Sequence, residues 1–119
     1  MNHKLVPIGQ VAVFYLPLAK LDGGSNCAKI NTYFLDNHFG YTVQTGKISG
    51  FWMKEEYGEF LAEENARFEV SFDGGEDVVN KFVDFLSDLC ASMNEDAIYL
   101  TMGYKSYLVL PRRDSNVEV

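Results

Sequence analysis

The chain has 119 residues, 47% of them hydrophobic, 14% aromatic and 23% charged. That is enough for one domain burying roughly two-thirds of the surface its unfolded chain would expose, and it excludes disordered, collagen-like and disulfide-scaffold classes. Ten Lys and Arg against 17 Asp and Glu give a net charge of −7. Affinity for a phosphate backbone comes mainly from basic side chains displacing counterions, so the balance argues against direct nucleic-acid binding.

In chain order, Met1 to Lys4 followed by Leu5 to Ala19 has the outline of a short secretory leader, but Pro7, Gln10 and Pro17 interrupt it. It is also shorter than the roughly 20 apolar residues that span a bilayer, so no membrane association and a cytoplasmic location are expected. Gln10 to Leu18 is dense in β-branched and aromatic residues and reads as a first strand, apolar on both faces. Leu21-Asp22-Gly23-Gly24-Ser25 carries turn and cap chemistry, and a helix is predicted from Ser25 to His38, ended by Gly40. Tyr41 to Met53 is rich in Thr, Val, Ile and aromatics but interrupted by Gly46 and Gly50, which predicts a bent or bulged strand. Lys54 to Gly58 is assigned to a turn. Glu59 to Phe72 returns as a strand in which Ala66, Phe68, Val70 and Phe72 alternate with Arg67, Glu69 and Ser71.

Asp73-Gly74-Gly75-Glu76 has the form of a capping box at the start of a second helix. Val79, Phe82, Val83, Leu86, Leu89, Cys90 and Met93 recur every three or four residues, with Asp77, Lys81, Asp84 and Asp88 on the opposite side. Ala97 to Met102 and Lys105 to Leu110 read as two further strands around Gly103, ended by Pro111. One domain over residues 1–111 and a flexible polar tail over 112–119 complete the chain.

The order β-α-β-β-α-β, with a further C-terminal strand, predicts an α+β fold: a ferredoxin-like βαββαβ two-layer sandwich with both helices on one face of an antiparallel sheet. The other face is then left open. Phe14, Leu16, Trp52, Tyr57, Phe60 and the Tyr99 to Tyr107 region supply more large apolar groups than two helices would cover. The chain itself is therefore the first expected partner, as a dimer or trimer.

No strong catalytic, metal-binding or nucleotide-binding motif stands out, so no catalytic residue, metal or cofactor is assigned. Cys27 and Cys90 have no CxxC spacing and read as reduced helix residues, although a thiol in a first helical turn, as at Cys27, is a candidate nucleophile. Gly23, Gly24 and Ser25 before a helix could hold a small anion on free N–H groups or could form a simple turn. His38, beside Asp36 and Asn37, could act as a general base or complement the helix C-terminus. Trp52, Glu55, Glu56, Tyr57 and Glu59 form a candidate partner-binding surface on the central hairpin. The acids there lack the spacing of a calcium loop. From Glu55 to Asp96, thirteen acidic residues face only Arg67 and Lys81, whereas the remainder of the chain is net +4. Such a field would steer a basic protein partner or simply keep the surface solvated.

Gly40-Tyr41-Thr42-Val43, Gly50-Phe51, the strand ending Phe68-Glu69-Val70, and Glu76-Asp77-Val78-Val79-Asn80-Lys81-Phe82-Val83 together resemble the layout of PII-like signalling proteins over roughly Val11 to Leu110. The resemblance implies a trimer of ferredoxin-like units with a small anion or nucleotide in its subunit clefts. The chain departs from that layout in a central loop shortened to residues 53–58, and in Asn94-Glu95-Asp96 before the last strand, where carboxylates repel phosphate. The chain is also similar to small bacterial and phage proteins that carry a Gly-x-Thr strand followed by a Gly-aromatic-Trp strand. Three functional readings follow. The first is a non-enzymatic oligomeric regulatory or ligand-sensing module of PII-like architecture. The second is an acidic inhibitor docking on a basic nucleic-acid-handling protein, and the third is a small enzyme with an interfacial site around His38.

Overall fold

The computed structural model describes residues 5–21, 24–37, 39–54 and 59–112, and of residues 46, 47, 49–54 and 59–62 it describes the backbone. Among the described residues five strands and two long helices follow in the order β1 (Gln10–Pro17), a 3-10 turn (Leu18–Lys20), α1 (Ser25–Asp36), β2 (Gly40–Lys54), β3 (Glu59–Phe72), α2 (Glu76–Ser92), β4 (Ile98–Met102) and β5 (Lys105–Val109). The sheet order is β2-β3-β1-β4-β5 with every neighbouring pair antiparallel. This is the ferredoxin-like α+β sandwich with one extra strand, added at the β4 edge by a two-residue turn. Gly103 supplies the positive φ of 65° at the first turn position, where glycine favours a tight hairpin.

Alternation along the strands sends one set of side chains beneath the helices. Ala12, Phe14 and Leu16 of β1, Ala66, Phe68, Val70 and Phe72 of β3, and Ile98 and Leu100 of β4 are buried there with Ile30 and Phe34 of α1 and Phe82, Leu86, Leu89 and Cys90 of α2. Phe14 is the centre: it stacks on Phe68 at 5.0 Å and meets Phe34 and Phe82 at 6.1 and 6.0 Å. Phe14 and Leu16 therefore belong to the helix-covered core, which corrects their assignment to the surplus apolar groups. The period-2 pattern alone names the two faces of a strand without saying which one a helix covers.

The local expectations are met in most places, and the exceptions have physical reasons. α1 ends at Asp36 and its cap is Asn37, two residues before the predicted end. β2 is bulged where Gly46 suggested: its register shifts between Gln44, opposite Arg67, and Ile48, opposite Asn65. The capping box is not formed. Gly75 is the N-cap of α2, without a side-chain cap, and Gly74 stands at φ 154° where a Cβ would lie 2.3 Å from the Val78 side chain. Gly74 is needed there because the chain passes close against its own first helical turn at a φ that other residues rarely adopt, and the cap falls at Gly75 rather than Asp73. The assigned turn at Lys54 to Gly58 falls, apart from Lys54, outside the described residues, as does most of the tail.

β2 and β3 are far longer than the strand they flank. β1 pairs with β3 only from Phe72 back to Asn65. Beyond that point Ser49 to Lys54 pair with Glu64 to Glu59 and, among the described residues, with no other strand. The hairpin thus projects as a two-stranded arm, in a molecule measuring 59 × 39 × 31 Å.

Candidate functional site

At the foot of that arm three parts of the chain converge: the 3-10 turn after β1, β3 around Glu63 just beyond the end of its pairing with β1, and the connection from α2 to β4. Each is placed by its local sequence. Pro17 ends β1 and turns the chain into Leu18–Lys20. The Asn26 side-chain amide, in the first turn of α1, donates to the Lys20 carbonyl at 2.8 Å, and the Cys27 thiol reaches the Leu21 carbonyl at 3.5 Å, so the start of α1 fixes that turn. At the other side α2 ends in a Schellman motif. Asn94 takes the left-handed conformation at φ 55°, its N–H donates to the Ala91 carbonyl, and the Glu95 N–H donates to the Cys90 carbonyl, both at 3.0 Å.

This motif holds Glu95 against the sheet end, where its side chain is only 16% exposed. The Lys20 ammonium donates to the Met93 carbonyl at 2.6 Å and stands 3.8 Å from the Glu95 carboxylate. Burial pushes the Glu95 carboxyl above its ordinary value, and the Glu63 and Asp96 charges push it the same way, outweighing the attraction of Lys20. Burial likewise pushes the neighbouring Cys90 thiol up to about 11, with Glu95 and Asp96 adding to the effect, so it is inert at neutral pH. One ammonium and three carboxylates thus share a partly desolvated corner with an excess of negative charge.

A second polar cluster lies on the sheet face away from the helices. Arg67 pairs with Glu69 at 3.0 Å, Tyr15 and Tyr99 approach at 6.0 Å between ring centres, and the Tyr99 and Ser106 hydroxyls are 2.9 Å apart. Hydrogen bonds from Ser106 and Thr101 lower the Tyr99 pKa. On the outer layer, an open groove of about 660 Å³ separates α1 from α2 above the stacked rings of Tyr33 and Phe85, 4.0 Å apart.

Of the residues singled out in the sequence, Gly24 caps α1 at φ 85° and Ser25 is its exposed first residue, next to the Asn26–Lys20 link. Trp52 and Glu59 lie on the arm, opposite Leu61 and Lys54. Gly23, His38, Glu55, Glu56 and Tyr57 lie outside the described residues. The first-turn position of Cys27 and the helical position of Cys90 are as read, and both thiols are free. Lys20, Glu63 and Glu95 were missed as a set. The available signal was Asn94 after the apolar period of α2, a left-handed helix stop that predicts where the next residue is held. Among the described residues no group of three or more His, Cys, Asp or Glu is placed to hold a metal ion. No described helix is long and apolar enough to cross a membrane.

No protein-family model and no curated protein matches the chain. Solved structures with the same fold include a phage SAM lyase in complex with S-methyl-5'-thioadenosine, with a TM-score of 0.62 and 10% identity over 92% of this chain and 95% of that one. They also include a phage SAM lyase in the apo state, with a TM-score of 0.58 and 11% identity over 97% and 99%. At such identities the likeness establishes the fold. It also corrects the expected function: the structures that match this chain end to end are those of an enzyme, so the readings as a non-enzymatic PII-like module and as an acidic inhibitor are withdrawn.

Proposed function

We propose that this chain binds S-adenosylmethionine and breaks a carbon–sulfur bond of its sulfonium centre. The observation that carries the reading is the end-to-end likeness to a SAM lyase, one form of which holds S-methyl-5'-thioadenosine. The charges at the arm foot support it. S-adenosylmethionine carries a sulfonium, an ammonium and a carboxylate, and the corner offers Glu63, Glu95 and Asp96 beside Lys20. Opposite charges in a partly desolvated site attract far more strongly than in water.

The bond balance defines the step. When the Cγ–S bond breaks, its electron pair leaves with sulfur and the sulfonium becomes a neutral thioether, S-methyl-5'-thioadenosine. A lyase adds no water, so the four-carbon fragment completes its valence internally. Its own carboxylate closes on Cγ to a five-membered lactone, or a Cβ proton is lost to a base. Glu95, with its raised pKa, is the described carboxylate suited to that second route.

Because the positive charge fades in the transition state, carboxylates facing sulfur hold the ground state more tightly than the transition state. Their contribution is to binding, and acceleration comes from holding the reacting carbon in line. Isothermal calorimetry with S-adenosylmethionine and with S-methyl-5'-thioadenosine tests the reading. Both are expected to bind, and Glu95→Gln is expected to weaken the sulfonium ligand roughly tenfold while leaving the neutral thioether within about twofold. Absence of binding by either ligand to the folded protein would refute it.

A further inference from the structure

After β5 the chain crosses the outside of α2. The Ser87 hydroxyl donates to the Leu110 carbonyl at 2.6 Å, and the Arg112 N–H donates to the Ser87 carbonyl at 3.2 Å. The Arg112 guanidinium stands 4.0 Å from the Asp84 carboxylate and 3.6 Å from that of Asp88. These two carboxylates mark the direction of travel. Asp84, with Val83 and Ser87, lines a cleft on the β5 side of α2, whereas Asp88, with Phe85 and Leu89, lines the groove between α2 and α1. At Arg112 the chain has therefore come over the ridge of the helix to the rim of that groove.

The groove holds about 660 Å³ above the stacked rings of Tyr33 and Phe85. Asp36 and Asp88 lie along it, and Lys29, exposed on α1, is the basic residue among its described lining. Seven residues follow Arg112 in the sequence, Arg113-Asp114-Ser115-Asn116-Val117-Glu118-Val119, all outside the described residues. An extended run of that length reaches about 23 Å, roughly twice the diameter of a helix. In such a run Val117 and Val119 share one side and Glu118 takes the other. Two branched apolar side chains suit an aromatic floor, while Arg113 suits the acids at the near rim and Glu118 suits Lys29 on the far wall.

We infer that the segment Arg113–Val119 lies along the groove between α1 and α2, with its two valines on the Tyr33 and Phe85 rings, and straps the two helices together. This segment is the occupant because it is tethered at the rim. A short tether holds it at an effective concentration of about millimolar, at which contacts too weak for a separate partner suffice. The placement does not rest on the reading as an enzyme.

Methyl NMR of the full chain labelled at valine tests this. The Val117 and Val119 methyl resonances are expected away from random-coil positions, shifted by the ring currents, with nuclear Overhauser contacts to the Tyr33 and Phe85 rings. In a variant carrying Val117→Asp and Val119→Asp the Tyr33 and Phe85 ring resonances should move, while those of Phe14 and Phe68 in the core stay in place. Should that variant fail to fold, Lys29→Glu on the groove wall replaces it and should weaken the contacts seen in the unmodified chain. A mixture of labelled and unlabelled copies separates a molecule's own groove from that of its neighbour. Random-coil valine methyls, contacts to another part of the chain, contacts made only between copies, or a folded variant that leaves the rings or the contacts unchanged would each overturn the inference.

Discussion

Glu95 is the residue on which the proposed chemistry turns, and its environment makes its behaviour testable without any ligand. Its folded-state pKa lies above the ordinary value of 4.5 because burial, Glu63 and Asp96 outweigh Lys20. The folded chain therefore binds that proton more tightly than the unfolded chain does. Stability from this group is fully present below the ordinary value and is lost as pH rises through the raised one. Glu95→Gln should accordingly melt at a higher temperature than the unmodified protein at pH 7, and the difference should vanish in acid below the ordinary glutamate range. A melting temperature lowered at pH 7 would mean that the Lys20 contact dominates. The two thiols give a second check. Native protein should react with a thiol reagent once, at exposed Cys27, and twice after unfolding, because Cys90 is buried and its pKa is raised to about 11. Little of this corner was legible from sequence. Lys20, Glu63 and Glu95 are distant along the chain, and no spacing rule joins a 3-10 turn, an arm and a helix stop.

Elements were more legible where their period was long and uninterrupted. Six of the seven apolar positions of the second helical repeat fall in the 17-residue α2 and the seventh, Met93, is its C-cap, and Phe82, Leu86, Leu89 and Cys90 are buried as the repeat requires. β3 likewise places Ala66, Phe68, Val70 and Phe72 inward from alternation alone. What failed was local: the cap fell at Gly75 instead of Asp73, with Gly74 pressed against the Val78 side chain, a contact that lies beyond the four-residue motif Asp73–Glu76. The assignment of Phe14 to the core has an energetic consequence. Its ring is fully buried among Phe34, Phe68 and Phe82. Phe14→Ala should therefore cost about 3–5 kcal/mol, read as a lowered urea midpoint with an unchanged slope. A loss below about 1 kcal/mol would contradict that central packing.

For the whole molecule, the ferredoxin-like order explains why the polar corner, the arm and the open face occur together. Both crossovers place helices on one side of the sheet. The β2–β3 hairpin is free to outgrow β1, and the α2–β4 connection must return to the sheet end from which the hairpin departs. The same topology accommodates regulators and enzymes, so fold alone could not choose between them. The SAM lyase likeness and a corner whose charges suit a sulfonium amino acid support the proposed enzyme. It is tested most directly by incubating the purified chain with S-adenosylmethionine and following the products by liquid chromatography with mass detection. The account predicts time-dependent release of S-methyl-5'-thioadenosine, together with a four-carbon fragment that has gained no water in the enzymatic step. Unchanged S-adenosylmethionine after prolonged incubation with folded protein, or its conversion to a demethylated product, would contradict it.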